Sequence, residues 1–279
     1  MNNFESLVET QWLKNNLKNK IIIDGSWYLP AQERNPYQEY CSTHITGALF
    51  FDIDKISNLN SPLPHMLPSE NFFSQKISEM GINNNDHIII YDGIGLQSAA
   101  RVWWTFKVFG HEKVSILNGG LPKWIEEDLP TSQTIETFNR SKYNATYNAN
   151  YVRTLEQIKN NIDKQSEELV DARSYNRFKA IEKEPRANLK SGHIPNSLNL
   201  PYLDLLSPEK NTLKNKNEIK KLFLKSGINL DKPIITTCGS GITASILAFA
   251  LHLLGKEDFS VYDGSWTEWG AKKDFPIEI

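Results

Sequence analysis

One short loop contains the residue types needed for nucleophilic chemistry. Cys238 follows an apolar, β-branched run, is followed by Gly239, Ser240 and Gly241, and precedes a long helical pattern. Two glycines so close together let successive backbone N–H groups turn inward, and the start of the helix adds partial positive charge. Such a loop stabilises an anion, and the thiolate is the nucleophilic form of cysteine. We therefore predict that Cys238 is a nucleophile rather than a small buried hydrophobe, the more usual role of a free cysteine.

The sixth position after the cysteine argues against one kind of cysteine chemistry. Cysteine phosphatases need an arginine there to bind phosphate through two hydrogen bonds. This chain has Ala244 at that position. A phosphatase-like hydrolase is therefore disfavoured, although its loop would have a similar shape.

The sequence is an internal repeat, with landmarks in the same order in both halves. Corresponding residues stand 145 to 149 positions apart: Gly81 and Gly227, Gly110 and Gly255, Trp124 and Trp269, His44 and His193. In this alignment Asp92 is the counterpart of Cys238. A carboxylate cannot act as a thiol nucleophile, so we expect only the second copy to be catalytically competent.

Each copy alternates short apolar runs with helical patterns. The predicted strands are 21–23, 88–91, 169–170 and 233–237, and the predicted helices include 97–109 and 243–254. Capping boxes at 6–9 and 154–157, and N-caps at Ser69 and Asn217, are predicted to open further helices. This order predicts an α/β fold with mainly parallel sheets flanked by helices. We predict domains at 1–129 and 151–279, joined by a polar linker at 130–150 that crosses the surface.

Composition limits the classes of function. The 279 residues include 31 basic and 33 acidic side chains, which gives no basic surface for nucleic acid. The two cysteines exclude a disulfide-rich scaffold and a four-cysteine metal site. The longest apolar run, 246–254, is about half a membrane span, and the N-terminus lacks the pattern of a signal peptide. We therefore expect a cytoplasmic protein without a metal, nucleic-acid or membrane partner.

These motifs resemble those of the tandem-rhodanese sulfurtransferases over about residues 5–279. The resemblance rests on the cysteine loop and on five further motifs, at 44–52, 61–64, 184–186, 192–195 and 262–266. Within that family the uncharged loop is similar to the Cys-Gly-Ser/Thr-Gly-Val-Thr loop of members that use 3-mercaptopyruvate, with Ile242 in place of valine. Members that use thiosulfate have a basic Cys-Arg-Lys-Gly loop instead.

The resemblance implies two rhodanese-like domains and a reaction without a cofactor. The implied sulfur donor is 3-mercaptopyruvate, which leaves a persulfide on Cys238, and the implied acceptor is a thiol, a thioredoxin or cyanide. It also implies roles for particular residues: Arg177 and Arg186 for the donor carboxylate and carbonyl, Gly239, Gly241, Ile242 and Thr243 for substrate binding in the loop, and Ser240, His44 and Glu33 for a proton relay, with Glu39 as a second choice for the acid.

Two other readings of the chain stay open at this point. A thiosulfate sulfurtransferase would need positive charge at positions 239 and 240, where the chain has glycine and serine. A rhodanese-like module that only binds a partner would be easier to accept if the second copy had lost its cysteine, as the first copy has.

Overall fold

The computed structural model describes residues 5–279, which divide into two compact units. Unit 1 comprises the described residues up to Leu59, together with Leu67–Asn148 and Pro208–Leu213. Unit 2 comprises Asn60–Met66, Ala149–Ser207 and Lys214–Ile279. Each unit is an α/β structure with a five-stranded sheet.

Unit 1 is built on a sheet in the order β1-β6-β5-β2-β4, in which every neighbouring pair is parallel. A separate antiparallel pair, β3 and β7, lies beside it in the same unit. The strands are β1 Leu7–Val8, β2 Ile21–Asp24, β3 His44–Ile45, β4 Ala48–Phe50, β5 Ile88–Tyr91, β6 Val114–Leu117 and β7 Thr131–Ser132. The helices are α1 Thr10–Asn16, α2 Pro36–Ser42, α3 Glu70–Glu79, α4 Ala99–Val108 and α5 Gly120–Glu126.

Unit 2 repeats this plan, with a parallel sheet in the order β10-β9-β11-β12-β8. The strands are β8 Val152–Arg153, β9 Glu168–Asp171, β10 Leu198–Asn199, β11 Ile234–Thr237 and β12 Phe259–Tyr262. The helices are α6 Leu155–Lys164, α7 Tyr175–Phe178, α8 Lys216–Lys225, α9 Ala244–Leu253 and α10 Ser265–Trp269. The prediction of two α/β domains with mainly parallel sheets is confirmed.

The central strand of each sheet and the helix that follows it form the most deeply buried part of each unit. All four residues of β5 and of β11 are buried, as their apolar, β-branched sequences require when a parallel sheet is covered on both faces. The helices that follow, α4 and α9, are buried along most of their length. Because strand and helix are both fixed by packing, the loop between them is held at both ends.

Two of the predicted helix starts are wrong. The segment 6–9 contains strand β1, which pairs with β6, and α1 begins after Glu9 without a side-chain cap. Asn215 rather than Asn217 caps α8, because its side chain accepts hydrogen bonds from the next N–H groups. The predictions at Ser69 and at the capping box of Thr154 are confirmed.

The segment predicted as a linker packs against unit 1 for most of its length. Ser132 pairs with His44 in the β3–β7 ladder. Farther along, the backbone of Tyr143 donates to Ser78 Oγ, and Asn148 donates to the carbonyl of Val108. Backbone N–H groups in the second half of this segment therefore bond to unit 1, and its role as a linker stays a prediction.

Within residues 5–279, no helix is both long enough and apolar enough to span a lipid bilayer.

Candidate active site

Cys238 lies at the carboxyl end of β11, six residues before the start of α9. It is 2% exposed, and its backbone is anchored on both sides. The N–H donates to Ser265 Oγ at 3.3 Å, and the carbonyl accepts from the N–H of Trp266 at 3.0 Å. These bonds hold Cys238 where the sheet predicts a ligand site, at the carboxyl end of a central parallel strand.

The loop after Cys238 curls back through a glycine with left-handed backbone. Gly241 has a φ of +79°, a conformation that other residues rarely adopt, and its carbonyl accepts from Ser245 Oγ in the first turn of α9. Ile242 is 3% exposed and packs inward, and Thr243 is the N-cap of α9, with no hydrogen bond from its side chain to the helix. Gly241 and Thr243 therefore shape the loop through their backbone.

The corresponding loop of unit 1 shows directly what this geometry binds. The carboxylate of Asp92, the counterpart of Cys238, accepts four backbone hydrogen bonds within its own loop and is 1% exposed. The donors are the N–H groups of Ile94 at 2.9 Å, Gly95 at 2.8 Å, Gln97 at 2.6 Å and Ala99 at 2.9 Å. The strand–loop–helix turn of this fold thus surrounds one buried anion with N–H groups.

Unit 2 has the corresponding loop, one residue shorter, with a thiol in place of the carboxylate. The residues of unit 2 that correspond to the four N–H donors lie at 240–244, from the loop after β11 to the first residue of α9. A sulfur anion at Cys238 would meet these N–H groups together with the positive end of the α9 dipole. The loop can therefore stabilise an anionic sulfur without a metal or a cofactor.

Two arginines stand over the loop. A Cβ atom at Gly239 would lie 3.3 Å from Arg177 Nη2 and 3.6 Å from Arg186 Nη1. Arg186 Nη2 also donates to Ser240 Oγ at 3.4 Å. The structure thus brings together four of the predicted site residues of unit 2 beside Cys238. The missing side chain at Gly239 leaves room for both guanidinium groups.

Behind Arg177 lies a buried ion-pair network that the sequence reasoning missed. Glu184 bridges Arg177 and Arg173, and Arg173 also pairs with Asp171 at the end of β9. The side chains of Asp171, Arg173 and Glu184 are at most 2% exposed. The sequence signal was present, since Glu184 stands two residues before Arg186, but nothing in the sequence pairs it with Arg173.

His44, predicted for the relay, is held by contacts within unit 1. His44 is fully buried in unit 1 and stacks on Tyr40 with 4.3 Å between ring centroids. Its Nδ1 lies 2.7 Å from the carbonyl of Tyr40 and its Nε2 lies 3.1 Å from that of Thr134. Both ring nitrogens face backbone oxygens of unit 1 and neither meets a carboxylate. These contacts fix the orientation of the ring within unit 1, and a part for His44 in the relay stays a prediction.

The acid predicted for the relay is also not a partner of His44. Glu33 is exposed and takes a left-handed conformation at the end of a short 3-10 turn. Glu39, the second choice, binds Arg34 and the hydroxyl of Tyr28 instead. Ser240 is the one predicted relay residue whose hydroxyl contacts another predicted site residue.

No metal site accompanies the cysteine in the described part of the chain. Residues 5–279 contain no group of three His, Cys, Asp or Glu side chains placed to hold an ion. Cys41, the other cysteine, is partly exposed in α2 and unpaired.

Fold and site together define a class of protein: an α/β tandem repeat whose second copy presents a cysteine in an anion-binding loop. The model of the rhodanese-like domain matches the chain twice, over residues 9–127 and 154–272. The chain therefore belongs to the rhodanese-like family, as the loop motif predicts.

Similar proteins of known name agree with this assignment. A thiosulfate/3-mercaptopyruvate sulfurtransferase of Arabidopsis thaliana is 45% identical, over 98% of this chain and 78% of that protein. A 3-mercaptopyruvate sulfurtransferase of Escherichia coli is 42% identical, over 92% of this chain and 91% of that protein. The crystal structure of SseA, a 3-mercaptopyruvate sulfotransferase from Escherichia coli, matches with a TM-score of 0.86 and 38% identity, over 94% of this chain and 98% of that chain.

The anion in the unit 1 loop gives a first testable prediction. Asp92→Ala leaves two buried and two partly buried N–H groups without their acceptor, and we expect it to lower the free energy of unfolding by about 3–5 kcal/mol. Chemical denaturation measures the change. The matched control is Asp274→Ala, at an exposed position of the chain, where we expect a change within about 0.5 kcal/mol. Equal stability of the Asp92 and Asp274 variants would contradict the anion-binding reading of the loop.

Proposed function

We propose that this protein is a sulfurtransferase that moves the sulfur of 3-mercaptopyruvate to an acceptor through a persulfide on Cys238. The observation that carries the proposal is the placement of two arginines over a cysteine loop built to hold an anion. The relatives in Arabidopsis and Escherichia coli are named for this activity and support it.

The first half of the reaction breaks the carbon–sulfur bond of the donor. The Cys238 thiolate attacks the donor sulfur, a sulfur–sulfur bond forms, and the bonding electron pair leaves with carbon as the enolate of pyruvate. The proton of the donor thiol passes to the enolate, which gives pyruvate and an anionic persulfide. Arg177 and Arg186 would bind the carboxylate and carbonyl, since a guanidinium fork matches a planar carboxylate and stabilises enolate charge.

The second half returns the enzyme to its starting state. The terminal persulfide sulfur is attacked by the acceptor, the sulfur–sulfur bond breaks, and its electron pair returns to Cys238 as thiolate. Until the acceptor binds, the negative charge of the persulfide would be stabilised by the N–H groups of residues 240–244. The acceptors that suit this chemistry are a small thiol, a thioredoxin or cyanide, because each supplies a nucleophile to an electrophilic sulfur.

The geometry at Gly239 favours a carboxylate donor over thiosulfate. Thiosulfate is a small dianion that would sit over the loop, where Gly239 and Ser240 supply no positive charge. Mercaptopyruvate carries its charge several bonds from the sulfur, where Arg177 and Arg186 can reach it. An arginine at position 239 would compete for the space of both, since its Cβ alone would lie 3.3 Å from Arg177. The Arabidopsis relative is named for both donors, so the two are compared directly below.

The persulfide step is tested on the isolated protein. Incubation with 3-mercaptopyruvate alone is expected to add one sulfur atom, about 32 Da, to the intact mass, and a thiol reductant should remove it. Cys238→Ser is expected to abolish the adduct and pyruvate release, because serine is not a soft nucleophile. Cys41→Ser is the matched control and should keep both. Pyruvate release at the normal rate by Cys238→Ser would overturn the mechanism.

Donor preference is the second test. We expect the wild-type protein to favour 3-mercaptopyruvate over thiosulfate by at least about tenfold in kcat/KM, roughly 1.4 kcal/mol of differential transition-state binding. The double change Gly239→Arg with Ser240→Lys should lower or reverse this ratio. The increase in kcat/KM with thiosulfate should become smaller as the salt concentration rises.

Ser240→Ala is the control for the double change, because it removes the hydroxyl without adding charge. It should leave the donor ratio within about twofold of wild type. A wild-type ratio in favour of thiosulfate would assign the protein to the other donor class.

A further inference from the structure

The buried carboxylate of Glu184 binds two arginines, one of which, Arg177, is predicted to bind the donor. Its side chain is 2% exposed, and it accepts from Arg173 Nη1 at 2.7 Å. It also accepts from Arg177 twice, from Nε at 3.2 Å and from Nη2 at 2.6 Å. One edge of the Arg177 fork is therefore fixed by Glu184 before any donor arrives.

The fold itself does not need this network. In unit 1, Ser26 stands two residues after Asp24, as Arg173 stands two residues after Asp171 in unit 2. The turn is the same in both units: Ser26 N–H donates to Asp24 Oδ1 at 2.9 Å, and Arg173 N–H donates to Asp171 Oδ1 at 2.9 Å. Unit 1, which has Asp92 where unit 2 has Cys238, thus builds this turn with a serine in place of the arginine.

Burying the charges of Asp171, Arg173 and Glu184 is costly even though they are paired. Desolvation offsets most of the attraction within a buried ion pair, and apolar replacements are often as stable. What such a network does supply is a fixed position for each of its side chains. Arg173 is itself held on three sides, by Asp171, by the carbonyl of Gly192 and by the ring of Trp266 at 4.4 Å. Glu184 is therefore tied to a rigid support.

The ion-pair network reaches the loop that follows Cys238. The same Arg177 Nη2 that bonds to Glu184 is the atom nearest to the empty Cβ position of Gly239. Trp266, which supports Arg173, donates its backbone N–H to the carbonyl of Cys238. One continuous set of contacts thus sets the position of Arg177 relative to Cys238.

We propose that Glu184 is a positioning residue for the sulfur donor: it holds Arg177 in the orientation that receives the donor carboxylate. The proposal rests on the proposed function, since it needs a donor that carries a carboxylate. Because the guanidinium is ordered in advance, binding does not have to restrict a long, flexible side chain. Loss of Glu184 should therefore weaken donor binding and leave the chemistry at sulfur nearly unchanged.

The test is steady-state kinetics of Glu184→Gln with 3-mercaptopyruvate. Glutamine has one acceptor oxygen in place of two and no charge, so it cannot hold both arginines. We expect KM to rise about 2- to 12-fold, which corresponds to about 0.5–1.5 kcal/mol for ordering one side chain, with kcat within twofold of wild type. Glu182→Gln makes the same change at an exposed neighbour and should keep the wild-type KM.

A second pair of variants shows whether Glu184 acts through Arg177. In an Arg177→Ala background, Glu184→Gln should raise KM no further, because there is no guanidinium left to position. The same increase in both backgrounds would overturn the proposal, since Glu184 would then act on the site by another route. A wild-type KM in the single variant would overturn it as well.

Two further results distinguish a loss of folding, or a failure of the proposed function, from a failure of the proposed role of Glu184. If thermal melting shows that Glu184→Gln does not fold, Glu184→Asp replaces it: aspartate keeps the charge but is too short to bridge Arg173 and Arg177, and a wild-type KM in that variant overturns the proposal. Failure of the wild-type protein to release pyruvate overturns the proposed function. Normal wild-type turnover with an unchanged KM in the variants overturns only the role of Glu184.

Discussion

The structure depends on one arrangement of backbone N–H groups, the ring of donors that unit 1 forms where its central parallel strand turns into a buried helix. In unit 1 the ring is filled by the Asp92 carboxylate, with four hydrogen bonds of 2.6–2.9 Å. In unit 2 the corresponding loop, one residue shorter, presents Cys238. The strands and helices on either side are almost entirely buried, so the ring is fixed by the core and does not form on demand. The two copies thus differ at this position: one has a buried carboxylate and the other a thiol.

The two copies also differ in how they treat the buried aspartate at the end of a neighbouring strand. Asp24 in unit 1 has serine two residues later, and burial raises its pKa to about 6. Asp171 in unit 2 has Arg173 at that position and forms an ion pair at 2.6 Å. That ion pair extends through Glu184 to Arg177, which stands over the cysteine loop. The charges that unit 1 lacks are thus the ones that reach the site in unit 2.

The sequence predicted those parts of the structure that depend on local pattern. The repeat, the parallel α/β order, the place of Cys238 at a strand end and the glycine curl after it all follow from apolar runs and glycine positions. The convergence of Arg177 and Arg186 on Gly239 came from family resemblance, since spacing alone does not distinguish them from surface arginines. The predicted helix start at 6–9 failed because two residues pair with β6, a long-range contact that outweighs a local capping signal. The bonds of Glu184 to Arg173 and Arg177, 11 and 7 positions away, follow no periodic pattern in the sequence, and the contact of His44 with Thr134 spans 90 positions.

The central claim is that the loop after Cys238 holds a sulfur anion with its backbone N–H groups. The most direct measurement is a high-resolution crystal structure of the protein after reaction with 3-mercaptopyruvate and without acceptor. The account predicts a persulfide on Cys238 whose terminal sulfur points into the loop, within hydrogen-bond distance of at least three N–H groups of residues 240–244. A terminal sulfur turned away from these groups, toward solvent or an apolar wall, would contradict it.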